Sequence, residues 1–293
     1  MAKKLKCDAV VVNGILRGNQ IYELTQRIPV VVWDRVDVIL RIFTKHATTA
    51  ESKLQVKRAR LEYDIPKLYR RAAVTLFERE RGGKTIQRGA GETGIEAEKR
   101  HILRQIKKID RKIEQLKKVR QSQRSTRQRH ALPTVALVGY TNSGKSTLLR
   151  ALTRKRHVLV ADKLFATLDP RLGSLWLPHV QRKILITDTI GFIENLPPNL
   201  IAAFRGTLEE IQSSDLLVHV FDATDSRNEI LRKQKTVQTI LTDLNCVEKP
   251  QILVANKIDL LSNKLINSKI ISVSAQYKKN LTKLITALEK YFR

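Results

Sequence analysis

The run Gly139-Tyr140-Thr141-Asn142-Ser143-Gly144-Lys145-Ser146 restricts this chain more than any other feature. It fits G-x-x-x-x-G-K-[ST] and follows the apolar stretch Val135-Ala136-Leu137-Val138, which reads as a buried parallel strand. Gly139 and Gly144 let the backbone curl so that several N–H groups and a helix N-terminus converge on phosphate oxygens. Lys145 is placed to bridge the β- and γ-phosphates and the Ser146 hydroxyl to hold Mg²⁺, with Thr147 next in the chain. By itself this loop specifies a nucleoside triphosphate and no particular base.

Two later runs narrow the ligand. Ile184-Leu185-Ile186 is strand-like and leads to Asp188-Thr189-Ile190-Gly191. Asp188 takes the water-mediated side of the Mg²⁺ site, and the Gly191 N–H meets the γ-phosphate. Ile252-Leu253-Val254-Ala255 delivers Asn256-Lys257-Ile258-Asp259, whose Asp259 carboxylate can accept from both N1–H and the exocyclic amine of guanine. Adenine has no such donor pair and leaves a buried carboxylate unpaired, so the site rejects it. Asn256 and Lys257 shape the loop and cover the base. Ser274-Ala275-Gln276, after Ile270-Ile271-Ser272-Val273, completes the pocket. A single such run arises by chance; all of them, in order and each at a strand end, imply a domain for GTP and GDP.

Charge points to a second kind of partner. The 293 residues suffice for two domains with proper cores, and Lys plus Arg number 55 against 28 acidic residues, a net +27. Residues before Pro133 carry 32 basic and 14 acidic side chains, and the rest carry 23 and 14, so the shorter part holds about twice the excess. Such an excess implies a polyanion, with nucleic acid favoured over a membrane because no amphipathic helix with bulky apolar anchors stands out. Cys7 and Cys246 are too few for a disulfide framework or a zinc site, and the six histidines show no ligand spacing. The N-terminus lacks the apolar core of a signal peptide and no stretch is long enough to span a membrane. The expectation is a soluble, monomeric protein of the cytoplasm, with an organelle matrix as the other reducing compartment.

Upstream of the nucleotide domain, Ala9–Val12 and Pro29–Trp33 are apolar runs, each followed by a helix-like segment. Asp34 is an N-cap candidate for a helix over Arg35–Lys45, whose Val38, Ile39, Ile42 and Phe43 share a face. Residues 49–120 read as a basic antiparallel helical hairpin with a glycine-rich tip at 82–94, Pro66 ending or kinking its first helix at Ile65. Ile102, Ile106, Ile109, Ile113 and Leu116 form a heptad seam on the second helix. From Lys99 to Arg129 there are 13 basic residues against Asp110 and Glu114, a one-sidedness that favours phosphate binding over a merely solvated face. Lys84, Arg88, Arg100, Arg104, Lys107, Lys108, Arg111 and Lys112 are the RNA-contact candidates; the tip loop itself suits either RNA approach or a plain connector. The expected organisation is a small α/β unit over 1–48, the hairpin over 49–120, a polar linker over 121–133 and a Ras-like P-loop domain over 134–293, α/β in class.

These residues resemble the HflX GTPases. The match includes the loop through Thr147-Leu148 (with Ser143 where Ala is usual), Leu164-Phe165-Ala166-Thr167-Leu168-Asp169-Pro170, Asp188-Thr189-Ile190-Gly191-Phe192, and Thr207-Leu208-Glu209-Glu210. Lys53-Leu54-Gln55-Val56 and Arg88-Gly89-Ala90-Gly91-Glu92-Thr93 look like that family's hairpin and loop, though Lys84–Gln87 and Ala90 depart from it and the N-terminal unit is short. The resemblance implies a GTP hydrolase that associates with the large ribosomal subunit and its rRNA, in rescue, subunit dissociation or assembly. It also implies that Thr167 ligates Mg²⁺ and that Phe165, Ala166, Leu168 and Asp169 line the nucleotide.

Phe192 stands where Ras-like enzymes use a water-orienting glutamine, so intrinsic hydrolysis is expected to be slow. Lys145, Thr167 and Gly191 are the remaining catalytic candidates. Asn142 either ligates K⁺ beside the phosphates or is a plain turn residue. A signalling switch with a protein partner, or a passive RNA-binding factor with a structural nucleotide, are the alternatives.

Overall fold

The junction at Asp34, where a strand ends and a helix begins, sets the N-terminal architecture. The computed structural model describes residues 7–81, 90–129, 132–153, 171–194, 200, 205–261 and 270–293. The chain divides into two units, residues 1–118 with 197–203, and residues 119–196 with 204–293.

In the first unit β1 (Ala9–Val12) pairs in parallel with β2 (Val31–Asp34), with α1 (Gly18–Arg27) between them and α2 (Arg35–His46) after. Asp34 caps α2 by accepting from the Asp37 N–H at 2.8 Å; its other oxygen accepts from the Leu16 N–H and the Tyr63 hydroxyl. Val36, Ile39, Leu40 and the fully buried Phe43 turn one face of α2 into the core, beside Val56 and Ala59 of α3 (Ala50–Arg81). Asp37 is buried too, and accepts from Arg60 at 2.8 Å and Lys67 at 3.0 Å. Burial alone would raise its pKa, but Lys67 and then Arg60 outweigh that and hold it below the ordinary carboxylate range.

The helices correct two readings of the sequence. Pro66 lies inside α3 and does not end it. The one hydrogen bond it removes is offset by side chains gripping on both sides, Tyr63 on Asp34 and Lys67 on Asp37. The second correction is α4, which runs over Ala90–Arg129, so residues 90–94 of the expected tip loop and 121–129 of the expected linker are helical. Gln121–Arg129 contains no Gly or Pro, and the Ser125 hydroxyl donates to the Gln121 carbonyl at 2.7 Å; a polar sequence free of helix breakers can be helical without apolar periodicity. Ile106 and Ile109 of the predicted seam are buried, and Arg58 Nε donates to Asp110 at 2.5 Å, tying α3 to α4.

The second unit is a six-stranded sheet in the order β4-β5-β3-β6-β7-β8: β4 (Arg171–Leu177), β5 (Arg182–Asp188), β3 (Thr134–Val138), β6 (Leu216–Asp222), β7 (Gln251–Asn256) and β8 (Ile271–Ser272). All pair in parallel except β4, which is antiparallel to β5. The helices α5 (Lys145–Thr153), α6 (Arg205–Gln212), α7 (Arg227–Asp243) and α8 (Leu281–Phe292) complete it, and buried Leu137, Leu148, Leu149, Ile184, Ile186, Val218 and Leu284 fill the core. The carboxyl ends of β3, β5 and β7 therefore lie along one edge, where open α/β sheets bind ligands. No helix among the described residues is long and apolar enough to cross a membrane.

Candidate functional site

Each motif sits at one of those strand ends because only certain backbones fit there. Gly139 has φ +152°, and a Cβ on it would lie 2.1 Å from the Val220 carbonyl oxygen. Gly144 has φ +89°, and a Cβ there would lie 2.1 Å from the Asn256 amide nitrogen. Asn142, exposed, takes the left-handed conformation at φ 62°. The backbone thus curls from β3 into α5, whose first turn holds Lys145, Ser146 and Thr147.

Lys145 is buried, and its ammonium donates to the carbonyls of Gly139 at 3.1 Å and Tyr140 at 2.9 Å. Burial brings its pKa down to about 8, against the opposing pull of Asp188. Ser146 Oγ donates to the fully buried Asp188 carboxylate at 2.7 Å. A hydroxyl and a carboxylate so close are the hard oxygen donors that Mg²⁺ takes, so these residues fit that ion. Beneath the loop, buried His219 is brought down to about pKa 4 by burial and by the charge of Lys145, leaving it neutral.

The segment after Asp188 is fastened to the phosphate loop. Thr189 Oγ1 donates to the Leu137 carbonyl at 2.7 Å, the Thr141 N–H to Phe192 O at 2.8 Å, and the Phe192 N–H to Gly139 O at 3.1 Å. Gly191 is pressed close: a Cβ would lie 2.8 Å from the Thr141 Cα. Ile190 and Phe192 are buried, so the residue in the glutamine's place serves the core through its ring and the loop through its backbone.

The base loop is joined to the same assembly. Asn256 Nδ2 donates to Ser143 O at 3.0 Å, and Asn256 Oδ1 accepts from the Ala275 N–H at 3.0 Å. Lys257, at φ 66°, pairs with Asp222 at 2.6 Å. Asp259 lies in the short 3₁₀ turn Ile258–Leu260, and its Oδ1 is buried with no hydrogen-bond partner among the described residues. An orphaned buried carboxylate oxygen is costly unless a ligand donates to it, which fits the N1–H and amine of guanine. Ser274 Oγ accepts from the Tyr277 N–H at 3.2 Å, shaping the turn that contains Ala275 and Gln276.

The structure therefore brings together the residues from Gly139 to Thr147, those from Asp188 to Gly191, Asn256 to Asp259, and Ser274 to Gln276. Phe165, Ala166, Thr167, Leu168 and Asp169, like Lys84 and Arg88, lie outside the described residues. Arg100, Arg104, Lys107, Lys108, Arg111 and Lys112 are exposed on α4 at steps of three and four, opposite buried Ile106 and Ile109. The sequence reading missed Asp222 as the partner of Lys257; its signal was a carboxylate ending the apolar run Leu216–Phe221. It also missed the structural use of Asn256, which grips Ser143 113 positions away.

Three family models match the chain: the 50S ribosome-binding GTPase over residues 134–257, the GTP-binding GTPase Middle Region over 46–127, and the GTP-binding GTPase N-terminal over 1–44. It is 44% identical over 288 residues to the GTPase HflX of Caldanaerobacter subterraneus, covering 97% of this chain and 65% of that one. With the GTPase HflX of Magnetococcus marinus the identity is 42%, over 97% of this chain and 66% of that one, so the chain spans just under two thirds of these relatives' length. The crystal structure of SsGBP in complex with GDP superposes with a TM-score of 0.58 at 25% identity, covering 99% of this chain and 85% of that one.

Proposed function

The chain belongs to the HflX family of GTPases, and on that premise we propose that it binds GTP with Mg²⁺, hydrolyses it to GDP and phosphate, and associates with the large ribosomal subunit. The observation that carries this reading is the orphaned Asp259 oxygen in a loop held to the phosphate loop by Asn256. Lys145 exchanges its two carbonyl partners for phosphate oxygens, and the loop N–H groups orient the phosphates in line for attack. Ser146 and Asp188, which hydrogen-bond to each other, would hold Mg²⁺, Ser146 through its hydroxyl and Asp188 through its carboxylate. When bound, the ion offsets charge on the β- and γ-phosphate oxygens.

Buried Phe192 cannot orient water, so the chain's own turnover is slow and the ribosome supplies the ordering of the segment after Gly191. Exposed Asn142, at the turn of the loop, offers its side-chain oxygen to K⁺. The basic face of α4 meets rRNA phosphates, and such a protein works in the cytoplasm, where ribosomes are. GTP turnover measured alone, with large subunits and with small subunits, in KCl and in NaCl, tests these readings. Stimulation by large subunits alone supports them, and equal rates in both salts remove K⁺. A slow rate indifferent to both subunits would favour a signalling switch.

A further inference from the structure

The nucleotide site leaves one face of the β4–β5 hairpin unused. Along β4 the side chains alternate: a Cβ on Gly173 would run into Thr153 and Leu149 of α5, and Leu175 and Leu177 enter the core. Leu172 and Trp176 take the other face and are exposed, Trp176 to 57%. In the antiparallel register Trp176 stands directly opposite Lys183, itself exposed, so indole and ammonium share this outer face about 5 Å apart at their Cβ atoms. From Arg171 to Lys183 the hairpin carries Arg171, Arg182 and Lys183 and no carboxylate. Its turn is anchored: the His179 N–H and Nδ1 both engage Glu289 of α8, at 3.0 and 2.8 Å, so the face rides on the rigid body of its unit.

A singly exposed apolar side chain is ordinary on a soluble protein. An exposed indole paired with a lysine, on an anchored hairpin whose charges from Arg171 to Lys183 are all positive, has the composition of a single-strand nucleic-acid platform. We propose that this face stacks an unpaired RNA base on Trp176, with Lys183 meeting the adjoining phosphate. The aromatic plane accepts any base, so the site selects unpaired strands and not a sequence. The net charge of +27 favours the same class of partner over a protein strand added to the edge of β4. This inference goes beyond the GTPase reading and does not depend on hydrolysis.

The chain has two tryptophans, Trp33 and Trp176, so Trp33→Phe leaves Trp176 as the sole indole reporter. In that background the full chain, GDP-loaded, is titrated with a single-stranded oligoadenylate and with a duplex RNA of equal length. Saturable quenching by the single strand, and much less by the duplex, is the expected result. By anisotropy of labelled oligoadenylate, Trp176→Ala lowers affinity about tenfold and Trp176→Phe far less. Lys183→Ala lowers affinity and reduces the slope of log affinity against log salt by about 0.7. GTP turnover without ribosomes, measured on the same variants, stays unchanged, so failure of the GTPase reading registers separately. RNA binding without quenching, with Trp176→Ala harmless, would assign the RNA to α4 and overturn the proposal. So would the absence of any RNA affinity at low salt, or a Trp176→Ala effect confined to binding a ribosomal protein.

Discussion

Two buried acid–base clusters, one in each unit, show what separates a group that holds a fold from a group that awaits a ligand. Around Asp34 and Asp37 every interaction is already made: Asp34 accepts from two backbone N–H groups and Tyr63, and Asp37 accepts from Arg60 and Lys67. Around Lys145 the chemistry is incomplete. Its ammonium rests on two carbonyls, which offer partial charge only, and burial leaves its pKa near 8. The first cluster lowers the free energy of the folded chain as it stands. The second raises it and recovers the cost when phosphate arrives.

Exchanging one residue in each cluster breaks the comparison most directly. Lys145→Ala is expected to weaken GTP binding by about 3 kcal/mol, roughly a hundredfold, read by titration with a fluorescent nucleotide, while the denaturation midpoint holds or rises. Asp34→Ala should do the reverse, costing about 2–3 kcal/mol in denaturant unfolding of the first unit because it strips a buried cap and two partly buried bonds. Nucleotide affinity should be unmoved. Between these lies Asp259→Asn, which replaces the orphaned acceptor with an amide. Guanine nucleotides should lose about 1–3 kcal/mol while xanthine nucleotides, which present an oxygen in place of the amine, gain.

Proton linkage sharpens the contrast more gently. The unfolded Lys145 keeps its proton to about pH 10.4, whereas the folded one loses it near pH 8. In the nucleotide-free protein the unfolded state thus binds more protons across that window, and stability climbs with pH. Bound phosphates keep Lys145 charged, so nucleotide binding above pH 8 takes up a proton. Titration calorimetry in buffers of different ionisation enthalpy reads this directly; uptake independent of pH from 7 to 9 would contradict it. Asp37 shifts stability with the same sign, in an acid window. Its lowered pKa contributes stability that is present above the ordinary carboxylate range and is lost in strong acid, as pH falls through the folded value.

Much of the site was legible because its demands are local. Gly139 and Gly144 are forced by backbone angles and close neighbours, and both glycines belong to the motif itself. Asp188 and Asp259 follow recognisable apolar runs, whereas the order of the strands in the sheet, with β4 antiparallel at its edge, was not legible in those runs. What the sequence could not disclose is distance in space: that the Asn256 amide reaches Ser143, or that Lys257 finds Asp222. The helices misled for a related reason. Pro66 and the polar stretch Gln121–Arg129 argue locally against helix, and α3 survives its proline through Tyr63 and Lys67, whose partners lie more than 25 positions away. Polar residues without apolar periodicity can still be helical where no Gly or Pro interrupts them.

Asn256 carries one further consequence. A single amide fixes the spacing between the loop proposed to read the base and the loop proposed to grip the phosphates. For a guanine nucleotide bound as proposed, the protein holds a ruler as well as a reader. A guanosine lacking phosphates, or a pyrophosphate lacking a base, meets only one of the two loops that this amide joins.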